Sequence, residues 1–173
     1  MGSIRVSDPV ILLLAVTGAD SQAIDAAVAA FCSRFGPIAS RFGPIDFSAF
    51  TTYYRDEMGD GLKKSYLLFE RPIRRDDLAA VKIFSNDIED TGAVAGKRII
   101  NLDPGYICTD KLVLASTKDF YHRIGIGQGI FAEVTLHVRH GKWRFFSWTY
   151  GDYKADGVIS LLDSAREMLK NLI

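Results

Sequence analysis

The chain has 173 residues, 48% of them hydrophobic and 24% charged, which fits one globular domain and excludes disordered and collagen-like chains. Its 21 basic side chains balance its 21 acidic ones, so there is no wholly basic surface to draw in a nucleic acid, and none is expected as a partner. Cys32 and Cys108 are too few for a disulfide framework and too far apart for a metal motif.

Val10 to Val16 is an apolar run far below the ~20 residues of a membrane span. Asp8-Pro9 stands before it and Arg5 is its only flanking cation, so it reads as a buried strand and not a signal segment. A cytoplasmic location without membrane association follows as the expectation. Asp20 is placed to cap a helix in which Ile24, Ala27, Val28, Phe31 and Phe35 share a face, and Gly36-Pro37 ends it. Ser33-Arg-Phe-Gly-Pro-Ile38 recurs as Ser40-Arg-Phe-Gly-Pro-Ile45, where it reads as an extended edge or loop. The stretch from Tyr53 to Gly61, rich in tyrosine and acid, is a candidate functional loop.

Leu62 to Arg71 reads as a strand closed by Pro72, and Asp76 or Asp77 opens a second helix reaching Ile88. Lys97 to Leu102 is a strand, after which Asp103-Pro104-Gly105 signals a turn. From Lys111 a β-meander is expected: strands at 111–116, 122–126, 130–137 and 143–148, with Gly127-Gln128-Gly129 and His140-Gly141 as hairpin turns. A helix within Gly157–Leu172 closes the chain. The whole, residues 1–173, reads as a single α+β domain. It is expected to be a two-layer sandwich with a mostly antiparallel sheet and helices on one face, compatible with a ferredoxin-like core extended by the meander.

Chemistry concentrates in the meander. Alternation places Val134, Leu136 and Val138 on one face, with Glu133, Thr135, His137 and Arg139 on the other. A two-residue His140-Gly141 turn pairs Val138 with Trp143, Leu136 with Phe145, His137 with Arg144, Thr135 with Phe146 and Glu133 with Trp148. The preceding hairpin leaves two registers open. A two-residue turn brings His122 to the polar face; a three-residue loop sets Arg123 against Glu133 instead. Gly125-x-Gly127-x-Gly129 lies between strands, unlike a dinucleotide fingerprint, and no P-loop motif occurs. The histidines His122, His137 and His140 lack any recognised ligand spacing, so no metal is expected, and no cofactor is indicated.

Several blocks together carry a family resemblance: Asn101-Leu-Asp-Pro-Gly-Tyr106, Lys111-Leu-Val-Leu-Ala-Ser-Thr-Lys-Asp119, His122-Arg-Ile124, Gly129-Ile-Phe-Ala-Glu-Val-Thr-Leu136 and Trp148-Thr-Tyr150. With Phe47, Tyr53-Tyr54, Glu57-Met-Gly-Asp-Gly-Leu62 and Phe69-Glu70, the chain resembles the bacterial family called domain of unknown function 4416 over nearly its whole length. The resemblance implies no activity and no catalytic residues. Some members are called GTP-binding, yet this chain has neither a Walker A lysine loop nor, at Thr117-Lys118-Asp119, an N-K-x-D base-reading motif.

Two functional expectations follow. One is a small anionic ligand, a nucleotide or phosphorylated metabolite. Here Lys111, Lys118 and Arg123 neutralise charge, Asp103 and Tyr106 orient the ligand, and Tyr106 and Trp148 stack on it. His122 and Glu133 would be its proton-transfer pair. The other is a non-catalytic module that binds a protein partner through the Tyr53–Gly61 loop and an aromatic sheet face.

Overall fold

The computed structural model describes residues 2–3, 6–50 and 55–172, with backbone alone at 55 and 56. Strand β1 (Ile11–Gly18) is buried at every position. Such a strand must have both faces covered. Helix α1 (Ser21–Phe35) follows, with the Asp20 carboxylate accepting from the backbone N–H groups of Gln22 and Ala23. Strand β2 (Ile38–Asp46) carries the second copy of the duplicated hexapeptide on the sheet edge. A short helix α2 (Arg55–Met58), strand β3 (Lys63–Phe69), helix α3 (Leu78–Thr91) and strand β4 (Ile100–Ile107) complete the first half. Tyr53 and Tyr54 of the expected loop lie outside the described residues.

Four strands follow: β5 (Lys111–Ser116), β6 (Ile124–Gly127), β7 (Ile130–Arg139) and β8 (Lys142–Phe145). Helix α4 (Asp156–Lys170) comes last. The eight strands form one sheet in the order β2-β3-β1-β4-β5-β7-β6, with β8 also on β7. All pairings are antiparallel. In β1-α1-β2 and β3-α3-β4, each helix links two strands that flank a third. This is the ferredoxin-like order, widened by the meander.

The α+β class and the antiparallel sheet are as expected, but the helices divide. Val10, Leu12, Leu14 and Val16 pack with α1 and α3, whereas Ile11, Leu13 and Ala15 pack with α4. With β1 apolar on both faces, a single helical layer would leave one face wet; α4 crosses over to cover it.

A second departure lies at Asp103-Pro104-Gly105, which continues β4 instead of turning. Pro104 belongs to the set of β4 residues whose backbone groups point toward β5, and it has no N–H to give. The β4–β5 ladder accordingly runs only from Gly105 to Ile107, and the strands part beyond it. Leu102, in the parted stretch, donates its N–H to Glu89 at 2.6 Å and accepts from the Lys82 ammonium at 2.8 Å. Both partners come from α3 and replace the missing strand.

Where the ladder ends, Gly105 passes so close to β5 that a Cβ would collide with the Val113 carbonyl oxygen and the Leu114 side chain. Gly105→Ala is expected to destabilise the fold by ~1–3 kcal/mol, because the obstruction includes backbone that cannot swing aside. A urea midpoint equal to that of the parent chain would refute this.

Candidate functional site

Helix α4 leaves one end of its sheet face uncovered. There the starts of β3, β4 and β7 and the end of β5 floor a cavity of about 580 Å³, a usual size for a small-molecule site. Period two and register fix the floor. Lys64, Thr17 and Asn101 form one row across β3, β1 and β4; Tyr66, Ala15 and Asp103 form the next. Over the small Ala15 stands Tyr153, edge-on to Tyr66 at 5.3 Å.

Lys64 is buried and donates to Asp152 at 2.7 Å; the Tyr66 hydroxyl donates to the same carboxylate oxygen. Burial, and then the Asp152 charge, push the Tyr66 phenol far above its ordinary pKa. Burial does the same to Tyr153, helped by Tyr66 and by the Asp103, Asp152 and Glu133 carboxylates around it. Both phenols therefore stay protonated.

On the β4 side, Arg98 grips Glu57 with two bonds of 2.7 and 2.8 Å and Glu89 with one of 3.1 Å. The Arg98 bond lowers the Glu57 pKa, whereas burial raises that of Glu89. Arg98 also donates to Asn101 Oδ1, which turns the Asn101 amide nitrogen onto Asp103 at 2.7 Å.

On the meander side Glu133 is the hub. One of its oxygens takes His122 Nε2 at 3.1 Å and Arg123 Nε at 2.8 Å. The expected alternatives thus coexist. The turn is the two-residue Gln128-Gly129 form, with positive φ at both residues, but a bulge at Ile126 shifts the strand by one. Arg123 then stands opposite Glu133 while His122 still reaches it. A second bulge, at Thr135, moves Glu133 to the face that also bears Leu136, so the expected segregation of those two residues does not hold. Burial works against the Arg123 charge, but Glu133 outweighs it and raises the guanidinium pKa. Arg123 Nη1 also holds Ser116 Oγ and the Lys118 carbonyl oxygen, at 3.2 and 3.0 Å, fixing the loop that ends β5.

The His140-Gly141 hairpin has the expected register from Leu136↔Phe145 to Arg139↔Lys142. Strand β8 then ends at Phe145 and the chain leaves the sheet, so the expected pairs of Thr135 with Phe146 and Glu133 with Trp148 do not form. Between β6 and β8 the outer edge of β7 is bare, and Trp148 and Thr149 cap it by donating to the Val134 and Thr135 carbonyls. Trp148 is closed on both faces: Phe146 stacks on one at 4.5 Å and His122 on the other at 4.8 Å. It cannot take a stacked ligand.

Of the expected site residues, Asp103, Lys118, His122, Arg123, Glu133 and Trp148 line the cavity. Tyr106 and Lys111 do not. Tyr106 packs with the α1–α3 side of the sheet, and Lys111 reaches the exposed Asp110. They are strand neighbours of cavity residues but have the opposite parity. Lys64, Arg98, Asn101, Asp152 and Tyr153, which also line it, were missed. In sequence each looks like an ordinary strand or turn residue, and only their buried polarity marks them. Among the described residues no cluster of His, Cys, Asp or Glu is arranged to hold a metal ion. No helix is long and apolar enough to cross a membrane.

Removing the hub strands a cation. Glu133→Ala is expected to cost ~3–5 kcal/mol by leaving the largely buried Arg123 unpaired. Lys111→Ala, which breaks a bond to an exposed carboxylate, should stay within ~0.5 kcal/mol. Urea denaturation of the two variants side by side tests this; equal losses would deny Glu133 its role.

No curated protein and no solved structure matches the chain. A family model does, and it matches residues 8–169, from just before β1 to nearly the end of α4. The chain belongs to the family described as Domain of unknown function (DUF4416).

Proposed function

We propose that this chain is a cytoplasmic domain that binds a small anionic ligand, a nucleotide or phosphorylated metabolite, in the cavity beside α4. The observation that carries the reading is the concave site itself, into which five cationic side chains converge: Lys64, Lys82, Arg98, Lys118 and Arg123. Lys64 and Arg98 are engaged with carboxylates and Lys82 with a carbonyl oxygen, so they hold the shape of the site more than they grip a ligand. The anionic group docks at the corner of Ser116, Thr117 and Lys118, which Arg123 holds in shape. Phe50, Phe120 and Tyr150, all substantially exposed, ring the mouth and offer apolar faces to the rest of the ligand.

Binding has more support than catalysis. Glu133 already accepts from His122 and Arg123, which makes it an orienting group for the histidine and not a base for a ligand. A protein-interaction module would favour a shallow aromatic patch, and the exposed Phe120, Tyr121 and Ile124 are the feature that speaks for it.

A thermal-shift screen against inorganic phosphate, pyrophosphate, sugar phosphates and nucleoside phosphates tests the reading. At about a hundredfold over its dissociation constant a ligand contributes ~2.7 kcal/mol, or roughly 5–10 °C for a domain of this size. Exposed Lys118→Ala should abolish the shift without lowering the unliganded Tm. A flat screen on the parent chain overturns the anion-site reading and favours the interaction module.

A further inference from the structure

Charges in the cavity are satisfied in pairs, with one exception on the floor. Lys64 has Asp152, Arg98 has Glu57 and Glu89, and Arg123 has Glu133. Among the described residues Asp103 has no cationic partner, and its one hydrogen-bond partner is the neutral Asn101 amide, on Oδ2. Oδ1 has no bond to another described residue, and Asp103 lines the cavity. Tyr153 lines the cavity with it, and its buried hydroxyl has no partner among the described residues. Thr17, opposite Asn101 and diagonal to Asp103 across β1 and β4, has a second such hydroxyl but lies outside the cavity lining. Buried polar groups are normally hydrogen-bonded, so the unmet Tyr153 hydroxyl, in a lining shared with an unpaired carboxylate, marks where a polar ligand group belongs.

The chemistry of that group follows from what surrounds it. It must donate to Asp103, and it must accept from the Tyr153 hydroxyl. An ammonium satisfies the first need but has no lone pair with which to meet the second. Neighbouring alcohols meet every need without charge. One or both donate to Asp103, and their oxygens accept from Tyr153, whose phenol burial keeps protonated.

We propose that Asp103 and Tyr153 form a subsite for a vicinal diol, so that the anionic ligand carries a sugar or comparable polyol. This rests on the anion-site reading and extends it. Asn101, held by Arg98, is the positioning residue that aims the Asp103 carboxylate.

Calorimetric titration of the full chain with inorganic phosphate, ribose 5-phosphate and 2-deoxyribose 5-phosphate tests the subsite. In the furanose ring the 2-deoxy sugar retains no adjacent hydroxyl pair. The parent chain should bind ribose 5-phosphate at least tenfold tighter than the deoxy sugar, because a site built on a hydroxyl rejects the analogue that lacks it. Asp103→Asn should shrink that ratio to within twofold while inorganic phosphate affinity is unchanged, which also shows that the variant is folded. Tyr153→Phe, which removes only the hydroxyl, should reduce the ratio in the same direction. Equal affinity for the two sugars in the parent chain, or a ratio that survives Asp103→Asn, overturns the diol subsite. Phosphate binding without sugar preference defeats this inference alone. Failure of all three anions to bind defeats it together with the reading on which it rests.

Discussion

The structure turns on a mismatch between one helix and one sheet. A 15-residue helix such as α4 is ~22 Å long, whereas seven strands side by side span ~29 Å between the outermost backbones. The face opposite α1 and α3 therefore cannot be sealed by α4. Its apolar residues gather under the helix, from Leu13 and Leu68 to Leu112 and Leu136. The remainder is a sheet surface with no helix above it, and that is where Lys64, Asn101, Asp103 and Glu133 are found. The cavity exists because the covering layer is too short.

The parting of β4 from β5 deepens the same region. A proline in the middle of a sheet is usually read as a strand breaker, and here its effect is confined to one side of the strand. Toward β1, β4 pairs from Ile100 to Ile107 without interruption; toward β5 it pairs over three residues. The cost of exposing Leu102 is met by Glu89 and Lys82, which cross from α3 into the gap. Burial raises the Glu89 pKa, while Lys82 and Arg98 beside it favour the ionised form. The floor of the cavity is thus anchored to the helical layer beneath it and does not depend on strand pairing alone.

How much of this the sequence discloses depends on the range of the forces involved. Apolar periodicity reports burial against a neighbour, so the strands and the three long helices could be read from it, as could the Asp20 cap and the His140-Gly141 hairpin. Local patterns say little about parity when an extra residue enters a strand. Bulges at Ile126 and Thr135 each shift a face by one position, and together they brought both His122 and Arg123 to Glu133 when either alone was expected. Tyr106 and Lys111 were misplaced for a related reason: residues close in sequence to the site lie on the opposite face of their own strands. Asp103-Pro104-Gly105 shows the reverse error, in which a strong local turn signal yielded to the burial of Leu102 and Ile107.

The least legible part of the site is also the most informative about its use. Lys64 and Asp152 are 88 positions apart, and nothing near either residue announces that one will neutralise the other. A buried ion pair is a poor source of stability, since desolvation consumes most of the attraction, whereas an apolar pair would serve a core better. The same holds for Arg123 with Glu133 and for Arg98 with its two carboxylates. The chain places three such pairs around one cavity, and between them it leaves the Asp103 carboxylate and the Tyr153 hydroxyl incompletely bonded. A sheet end evolved only to be covered would have been made apolar or left open to water. Fixed dipoles and paired charges around a few unmet polar groups instead form a preorganised polar surface, and that suits recognition of a ligand whose own polar groups complete the network.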